Sequence, residues 1–221
     1  MRRTTPEPES TGLRVEHRPG MAAEMFRELA PLLAEEGIDV NCLDELGAPD
    51  LATLQASLNR AVERHNLALF TPVGRARELA VATLRLAVEA ITEDDTTRAG
   101  AALDQAQPES PDGQAPTVSA CIGVALGLLD EYLGSPNSLA PQGIRGLVRL
   151  PAGHWFGARA ATDILVLAGK GRAFRSLETL LVRQGGQQVL YGAALALAAT
   201  TTAWSDHTGT PISELIRDTL H

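Results

Sequence analysis

The stretch TVSACIGVALGLLDEYL, residues 117–133, decides the fold class, because a helix over it is apolar on nearly every side. A helix of that kind is buried in a protein core or spans a membrane. The uninterrupted apolar part, 118–129, is shorter than the ~20 residues that a bilayer requires. A second stretch, GQQVLYGAALALAATTTAW at 186–204, is weakened by three consecutive threonines. The two stretches predict two central helices in a soluble protein.

Each central stretch also carries small residues four positions apart, which form a ridge along a helix. Such a ridge lets another helix backbone approach closely. We expect the two helices to pack together through these ridges, or one ridge to form a dimer seam. The ridges are Ser119, Gly123 and Gly127 in the first stretch, and Gly192, Ala196 and Thr200 in the second.

Composition extends the helical prediction to the whole chain. Hydrophobic residues make up 44% and aromatic residues only 4%, so alanine and leucine, both strong helix formers, fill most apolar positions. We predict an all-α, compact array of about eight helices. Besides the central pair, apolar spacing indicates helices over 21–36, 51–65, 72–91, 95–105, 157–168, 172–184 and 211–220.

Several residues mark the expected helix ends. Asp50, Thr71 followed by Pro72, and Thr210 followed by Pro211 are typical N-terminal caps. Gly37 is suited to close the first helix, and Pro31 is expected to kink or split it. His65 follows the apolar stripe of its helix and is expected to be a hydrogen-bonded core residue rather than a metal ligand.

The domain prediction follows from composition shifts. Residues 1–20 are polar and non-periodic, which predicts a mobile tail. The Pro- and Gly-bearing segment 107–116 is the clearest linker, between an N-terminal helical lobe at 21–106 and a C-terminal lobe at 117–221. One continuous domain is the alternative.

Charge is unevenly distributed in this acidic chain, whose net charge is −8 and pI about 5.1. Residues 21–50 carry a net −7 and residues 142–183 a net +5. The basic segment is a solvated surface, a dock for the acidic segment, or an anion site. The overall charge disfavours binding to nucleic acids or anionic membranes. The basic residues of the segment are Arg145, Arg149, Arg159, Lys170, Arg172, Arg175 and Arg183.

The sharpest local pattern is ILVLAGKGRAF at 164–174, an apolar run followed by a Gly-Lys-Gly turn. Backbone N–H groups at such a turn can hold phosphate. The pattern is neither a Walker A loop nor a dinucleotide fingerprint, and a simple helix corner ended by Gly169 is the favoured alternative. The predicted ligand-binding residues are Gly169, Lys170, Gly171, Arg172 and Arg175, together with His154 and Trp155.

His154 and Trp155 enter that set because they lie beside Phe156 in a loop. Exposed, the loop suits ligand recognition. If the loop is buried, its side chains form a hydrophobic plug in which His154 is hydrogen-bonded to the backbone, and we favour this interpretation. The two cysteines, Cys42 and Cys121, form no metal motif, and their number and spacing are typical of reduced thiols in the cytoplasm.

No catalytic residue, metal site or cofactor site is predicted, because metal-ligand spacings and nucleophile motifs are absent from the sequence. The leading hypothesis is a non-enzymatic interaction or regulatory protein of the bacterial cytosol that self-associates or binds a protein partner. Its bacterial origin is inferred from the preference for arginine over lysine. The alternative is a small-ligand or phosphate-binding protein, an enzyme included, that binds an anion at the Gly169–Arg172 turn. Nucleic-acid binding through 142–183 is the outlying hypothesis.

Overall fold

The computed structural model describes residues 30–31, 33–34, 37, 51–134, 140–141 and 143–221. The all-α prediction is confirmed: the described residues from 51 onward form eight α-helices and no strands. They are α1 (Leu51–Phe70), α2 (Gly74–Thr92), α3 (Thr96–Leu103), α4 (Val118–Leu129), α5 (Ala158–Ala168), α6 (Leu177–Gln184), α7 (Gly186–Thr208) and α8 (Ile212–Thr219). A π-helical turn, Asp130–Gly134, extends α4, and a 3-10 turn spans Ile144–Gly146.

The predicted tail 1–20, the cap Asp50 and Cys42 lie outside the described residues. Of the helix predicted over 21–36, residues 30–31 and 33–34 are described and are helical. Gly37 has a φ of +79° and donates its N–H to the Ala34 carbonyl at 3.0 Å, the geometry of a helix end.

The two apolar stretches form the central helices, as predicted. Helix α7 is buried from Val189 to Thr201 and contacts α2, α3, α4, α5, α6 and α8. Its three consecutive threonines donate their hydroxyl hydrogens to carbonyls one turn earlier in the same helix, so Thr200 and Thr201 lie in the core, and Thr202 at its edge, with their hydroxyl groups paired. Nine residues of α4 are buried, including Cys121, and burial raises the pKa of that thiol to about 12.

One apolar cluster joins residues from Leu67 to Leu220. It includes side chains from both sides of the predicted linker 107–116, whose ends lie together: Gln107 donates to the Pro116 carbonyl at 2.9 Å. The division into lobes stays a prediction. No helix in the described ranges is long and apolar enough to cross a membrane.

The two central helices contact each other, as predicted, but the glycines of their small-residue ridges contact other elements. A Cβ on Gly123 would lie 3.0 Å from the Phe70 carbonyl oxygen, so this ridge receives the corner between α1 and α2. A Cβ on Gly192 would lie 2.5 Å from the Cβ of Ala160, so the other ridge receives α5. The glycines of the two ridges thus admit close neighbours, but each ridge admits a different one. A dimer seam stays a prediction.

Two predicted features near this corner are wrong. Thr71 does not cap α2, because its hydroxyl donates to the Leu67 carbonyl at 2.8 Å and so completes the end of α1. His65 is exposed rather than in the core. Helix α1 instead buries Glu63, whose carboxylate binds backbone N–H groups as described below, and this rotates Val62 and His65 toward solvent.

Helix boundaries differ most at the end of α1, which runs to Phe70 rather than to residue 65, and at the start of α6. Asp95 caps α3 by accepting from the Arg98 N–H at 2.9 Å, as its position at a helix start suggests. Helix α6 begins at Leu177, five residues later than predicted, because residues 173–176 form turns. Thr210 and Pro211 precede α8 without a side-chain cap.

Candidate functional site

Part of the basic segment lines both sides of a cleft of about 530 Å³. Helix α5 supplies one side, and the chain from the 3-10 turn to residue 150 supplies the other. Three cations, Arg145, Arg149 and Lys170, line it. The remaining lining residues are apolar or weakly polar: Leu133, Val148, Leu150, Thr162, Leu165, Val166 and Gly169.

Hydrogen bonds fix the two arginines. Arg145 Nη1 donates to the Gly169 carbonyl at 3.1 Å, which ties the 3-10 turn to the end of α5. Arg149 Nη1 donates to the Gly146 and Val148 carbonyls at 2.9 and 2.8 Å. Each guanidinium carries five N–H donors, so these bonds leave its other nitrogens available to a ligand.

The charge in the cleft has no counterion on the described chain. None of the described lining residues is acidic. In the described ranges Arg145, Arg149 and Lys170 form no ion pair with a carboxylate. Three like charges around one apolar-walled space repel each other, and an anion between them relieves that repulsion.

The Gly169–Arg172 turn is the C-terminal end of α5 rather than a phosphate loop. Gly171 has a φ of +59° and donates to the Ala168 carbonyl, and Arg172 donates to the Leu167 carbonyl, both at 2.9 Å. This pair of bonds is a Schellman motif. The N–H groups of Gly169 and Lys170 also bond to carbonyls of α5, so the turn has no backbone donor left for an anion.

The predicted site residues therefore separate. Gly169 and Lys170 line the cleft, whereas Gly171 is buried beneath Arg60 and Arg172 is exposed outside the cleft. Arg175 lies at a different, mostly apolar cleft of about 720 Å³.

Arg175 is engaged by Glu63, a buried carboxylate that sequence analysis did not identify. Glu63 Oε1 accepts from the Phe174 N–H at 2.6 Å, and its Oε2 accepts from the Arg175 N–H at 3.1 Å. Arg175 Nε lies 3.9 Å from the same carboxylate. Burial raises the pKa of Glu63, although the backbone hydrogen bonds and Arg175 oppose the rise. No sequence signal exists for this contact, because its partners are backbone groups.

The His154–Trp155 loop is divided between core and surface. The His154 side chain is fully buried, and its Nδ1 lies 3.0 Å from the Tyr191 hydroxyl, a side-chain partner rather than the predicted backbone one. Trp155 is 83% exposed, whereas Phe156 packs edge-on against Tyr191. The plug prediction thus fits His154 and Phe156 but not Trp155. Neither His154 nor Trp155 lines the basic cleft.

His154 also faces a carboxylate. Its Nε2 lies 3.7 Å from Asp94 Oδ1, beyond hydrogen-bonding distance, and finds no other hydrogen-bond partner in the described residues. Burial lowers the pKa of His154, and the charge of Asp94 partly opposes this. Asp94 has a φ of +59°, the one positive φ of a non-glycine residue in the described ranges.

In the part of the chain that the structure describes, no three His, Cys, Asp or Glu residues are grouped so as to hold a metal ion. No protein-family model, curated protein or solved structure matches the chain.

Proposed function

We propose that this protein is a non-catalytic binding protein that holds a small anionic ligand in the cleft between α5 and the 3-10 turn. One observation carries the proposal: Arg145, Arg149 and Lys170, separated by up to 25 positions in sequence (170 − 145), meet at one cleft without an acidic neighbour among its described lining residues.

The three cations have complementary roles. Arg149 uses Nη1 for its two bonds to backbone carbonyls, so its other guanidinium nitrogens are available to a ligand. The planar guanidinium matches the arrangement of carboxylate or phosphate oxygens. Lys170 is exposed at the rim and contributes a mobile point charge. Arg145 holds the two walls together through Gly169.

The lining residues favour binding over catalysis. Thr162 supplies the one side-chain hydroxyl among the described lining residues, and that hydroxyl donates to the Ala158 carbonyl at 3.0 Å. The described lining residues include no histidine, carboxylate or thiol that could accept a proton from it.

Thermal-shift and calorimetric titrations with inorganic phosphate, sulfate and short carboxylates test the proposal. We expect at least one of these anions to raise the melting temperature, and Lys170→Glu and Arg149→Gln to weaken its binding ~10-fold or more, since each removes a charge-assisted contact. Arg183→Gln is the matched control, because Arg183 is an exposed cation of the same segment in α6, outside the cleft. If no anion binds, or if the cleft variants bind like Arg183→Gln, the proposal is wrong.

Self-association, or binding of a protein partner, is a second proposal with its own observation. Leu69 and Val73, at the corner between α1 and α2, are 74% and 84% exposed. Both residues belong to one corner of the chain, and a contiguous patch of exposed apolar side chains is typical of interaction surfaces. Size-exclusion chromatography with light scattering tests it: we expect an oligomer that Leu69→Gln with Val73→Gln dissociates, and a strict monomer contradicts self-association.

Binding of a nucleic acid through 142–183 receives less support. Arg175 is paired with Glu63, and three cations line a small cleft rather than a long track for a phosphate backbone. A salt titration with single-stranded and duplex DNA tests it, because such binding weakens steeply with ionic strength.

A further inference from the structure

We propose that the ligand of the basic cleft is an amphiphilic anion, an acidic head group carrying an apolar chain. This inference rests on the proposed anion binding and goes beyond it, because it specifies what the remainder of the ligand must be. It is carried by the composition of the cleft walls, which is independent of the three cations.

The walls are mainly aliphatic. Leu165 and Val166 come from α5, and Val148 and Leu150 come from the opposite side, with Leu133 from the π-helical turn. Val166 is 51% exposed, so this part of α5 presents an apolar surface to water in the absence of a ligand. An aliphatic chain laid between these side chains removes apolar area from water on both surfaces.

The same walls offer little to a hydrophilic anion. The Thr162 hydroxyl donates to the Ala158 carbonyl, and the Gly169 carbonyl accepts from Arg145. A sugar phosphate or a nucleotide would bring hydroxyl and base groups that find few partners on these walls. Burying polar groups without partners is costly, so the cleft discriminates against such ligands.

The dimensions fit a small amphiphile. A cleft of about 530 Å³ lies within the range of ~300–1,000 Å³ that small-molecule sites occupy. Arg145 and Arg149 belong to the 144–150 side of the cleft, and Lys170 follows the end of α5. The head group of the ligand is held among these three cations, and its apolar chain lies along the aliphatic residues.

A homologous series tests the inference. Butanoate, hexanoate, octanoate and decanoate are titrated into the full chain below their micellar concentrations, with octyl phosphate, octan-1-ol, inorganic phosphate and glycerol phosphate alongside. We expect affinity to rise up to about fourfold per added methylene until the cleft is filled, and octan-1-ol to bind at least ~10-fold more weakly than octanoate. Octanoate and octyl phosphate distinguish a carboxylate head from a phosphate head.

Variants locate the binding. Lys170→Glu is expected to weaken octanoate ~10-fold or more and leave octan-1-ol unchanged. Val166→Thr keeps the side-chain shape but replaces a methyl group with a hydroxyl group. We expect this variant to reduce the gain in affinity per methylene, while inorganic phosphate binds as before. Val182→Thr is the control, because Val182 is 82% exposed on α6, outside the cleft.

The outcomes separate this inference from the proposed function. If inorganic phosphate binds in a Lys170-dependent way but affinity is flat along the series, the ligand is not an amphiphile and the anion site stands. If octanoate binds but Lys170→Glu does not weaken it, the chain binds elsewhere and the inference is wrong. If none of the anions binds, both proposals fail.

Discussion

Glu63 Oε1 accepts the backbone N–H of Phe174 at 2.6 Å, across 111 positions of the chain. The contact joins the middle of α1 to the turns that precede α6. It places a buried carboxylate beside the predicted apolar stripe of α1, and it turns this side of the helix inward.

We expect Glu63→Ala to lower the free energy of unfolding by ~1–3 kcal/mol, because it leaves the N–H groups of Phe174 and Arg175 without their acceptor. Glu63→Gln keeps one acceptor oxygen and should lose less. Chemical denaturation measures both variants. Glu78→Ala is the control: its ion pair with Arg75 is exposed, so a change under ~0.5 kcal/mol is expected. Equal losses for Glu63→Ala and Glu78→Ala would contradict a structural role for Glu63.

The close approach of α7 to α5 makes Gly192 intolerant of a side chain. A Cβ there would lie 2.5 Å from the Ala160 Cβ and 2.7 Å from the Ala161 backbone nitrogen. Gly192→Ala should therefore destabilise the protein by ~1–3 kcal/mol or more, measured by thermal unfolding. Gly100→Ala in α3 is the opposite case, since no atom lies within 4 Å of its added Cβ, and it should be neutral or stabilising by up to ~1 kcal/mol. If Gly192→Ala left the stability unchanged, α5 and α7 would have to lie farther apart than the distances above.

His154 is expected to make stability depend on pH. Its pKa is lowered in the folded protein, mainly by burial, with Asp94 and Tyr191 as the titratable groups that face it. The unfolded chain thus binds a proton first, near pH ~6.5, and stability is lost as the pH falls from there toward the folded pKa. The slope is at most ~1.4 kcal/mol per pH unit.

Urea denaturation between pH 7.5 and pH 5 measures this slope. His154→Gln should flatten it, whereas His207→Gln should not, because His207 is exposed. A wild-type slope that His154→Gln leaves unchanged would show that another group is responsible.

Substitutions at Gly171 distinguish a helix end from an anion-binding loop. Its φ of +59° is unfavourable for alanine, and an added Cβ would lie 3.3 Å from the Cγ of Arg60. Gly171→Ala should therefore cost ~1–2 kcal/mol of stability, and Gly171→Asn less, because asparagine tolerates this conformation. Anion affinity, measured by calorimetry, should change less than twofold in either variant. A large loss of affinity in Gly171→Ala would favour the phosphate loop over the Schellman motif.

Sequence periodicity predicts the fold class and the central pair of helices because α4 and α7 are apolar on all sides, and no loop detail can change that. It fails at the corner between α1 and α2. Thr71 and Pro72 resemble an N-cap and a first helical residue, but the Thr71 hydroxyl turns back to the Leu67 carbonyl. A threonine between two helices can satisfy either one, and only the packing against Gly123 decides which.

The cleft is only partly foreseen for a similar reason. Arg145, Arg149 and Lys170 belong to the basic segment that the sequence marks, and charge alone singles them out. Which of the seven cations meet depends on where α5 ends and on the path of residues 144–150, and neither is encoded in local spacing. Leu133 and Val148 read as ordinary apolar residues until the cleft brings them beside the cations.

The contact between Gly192 and α5 also has a mechanical consequence for the cleft. Gly157, at the start of α5, and Gly192 of α7 approach each other so closely that a Cβ on either would lie less than 3.0 Å from a backbone atom of the other. The α5 wall is thus held against the central helix α7, and the opposite wall is held too, because the 3-10 turn contacts α7 and Arg145 bonds to the end of α5. A displacement of α5 by a side chain at position 192 would therefore be transmitted to both walls of the cleft.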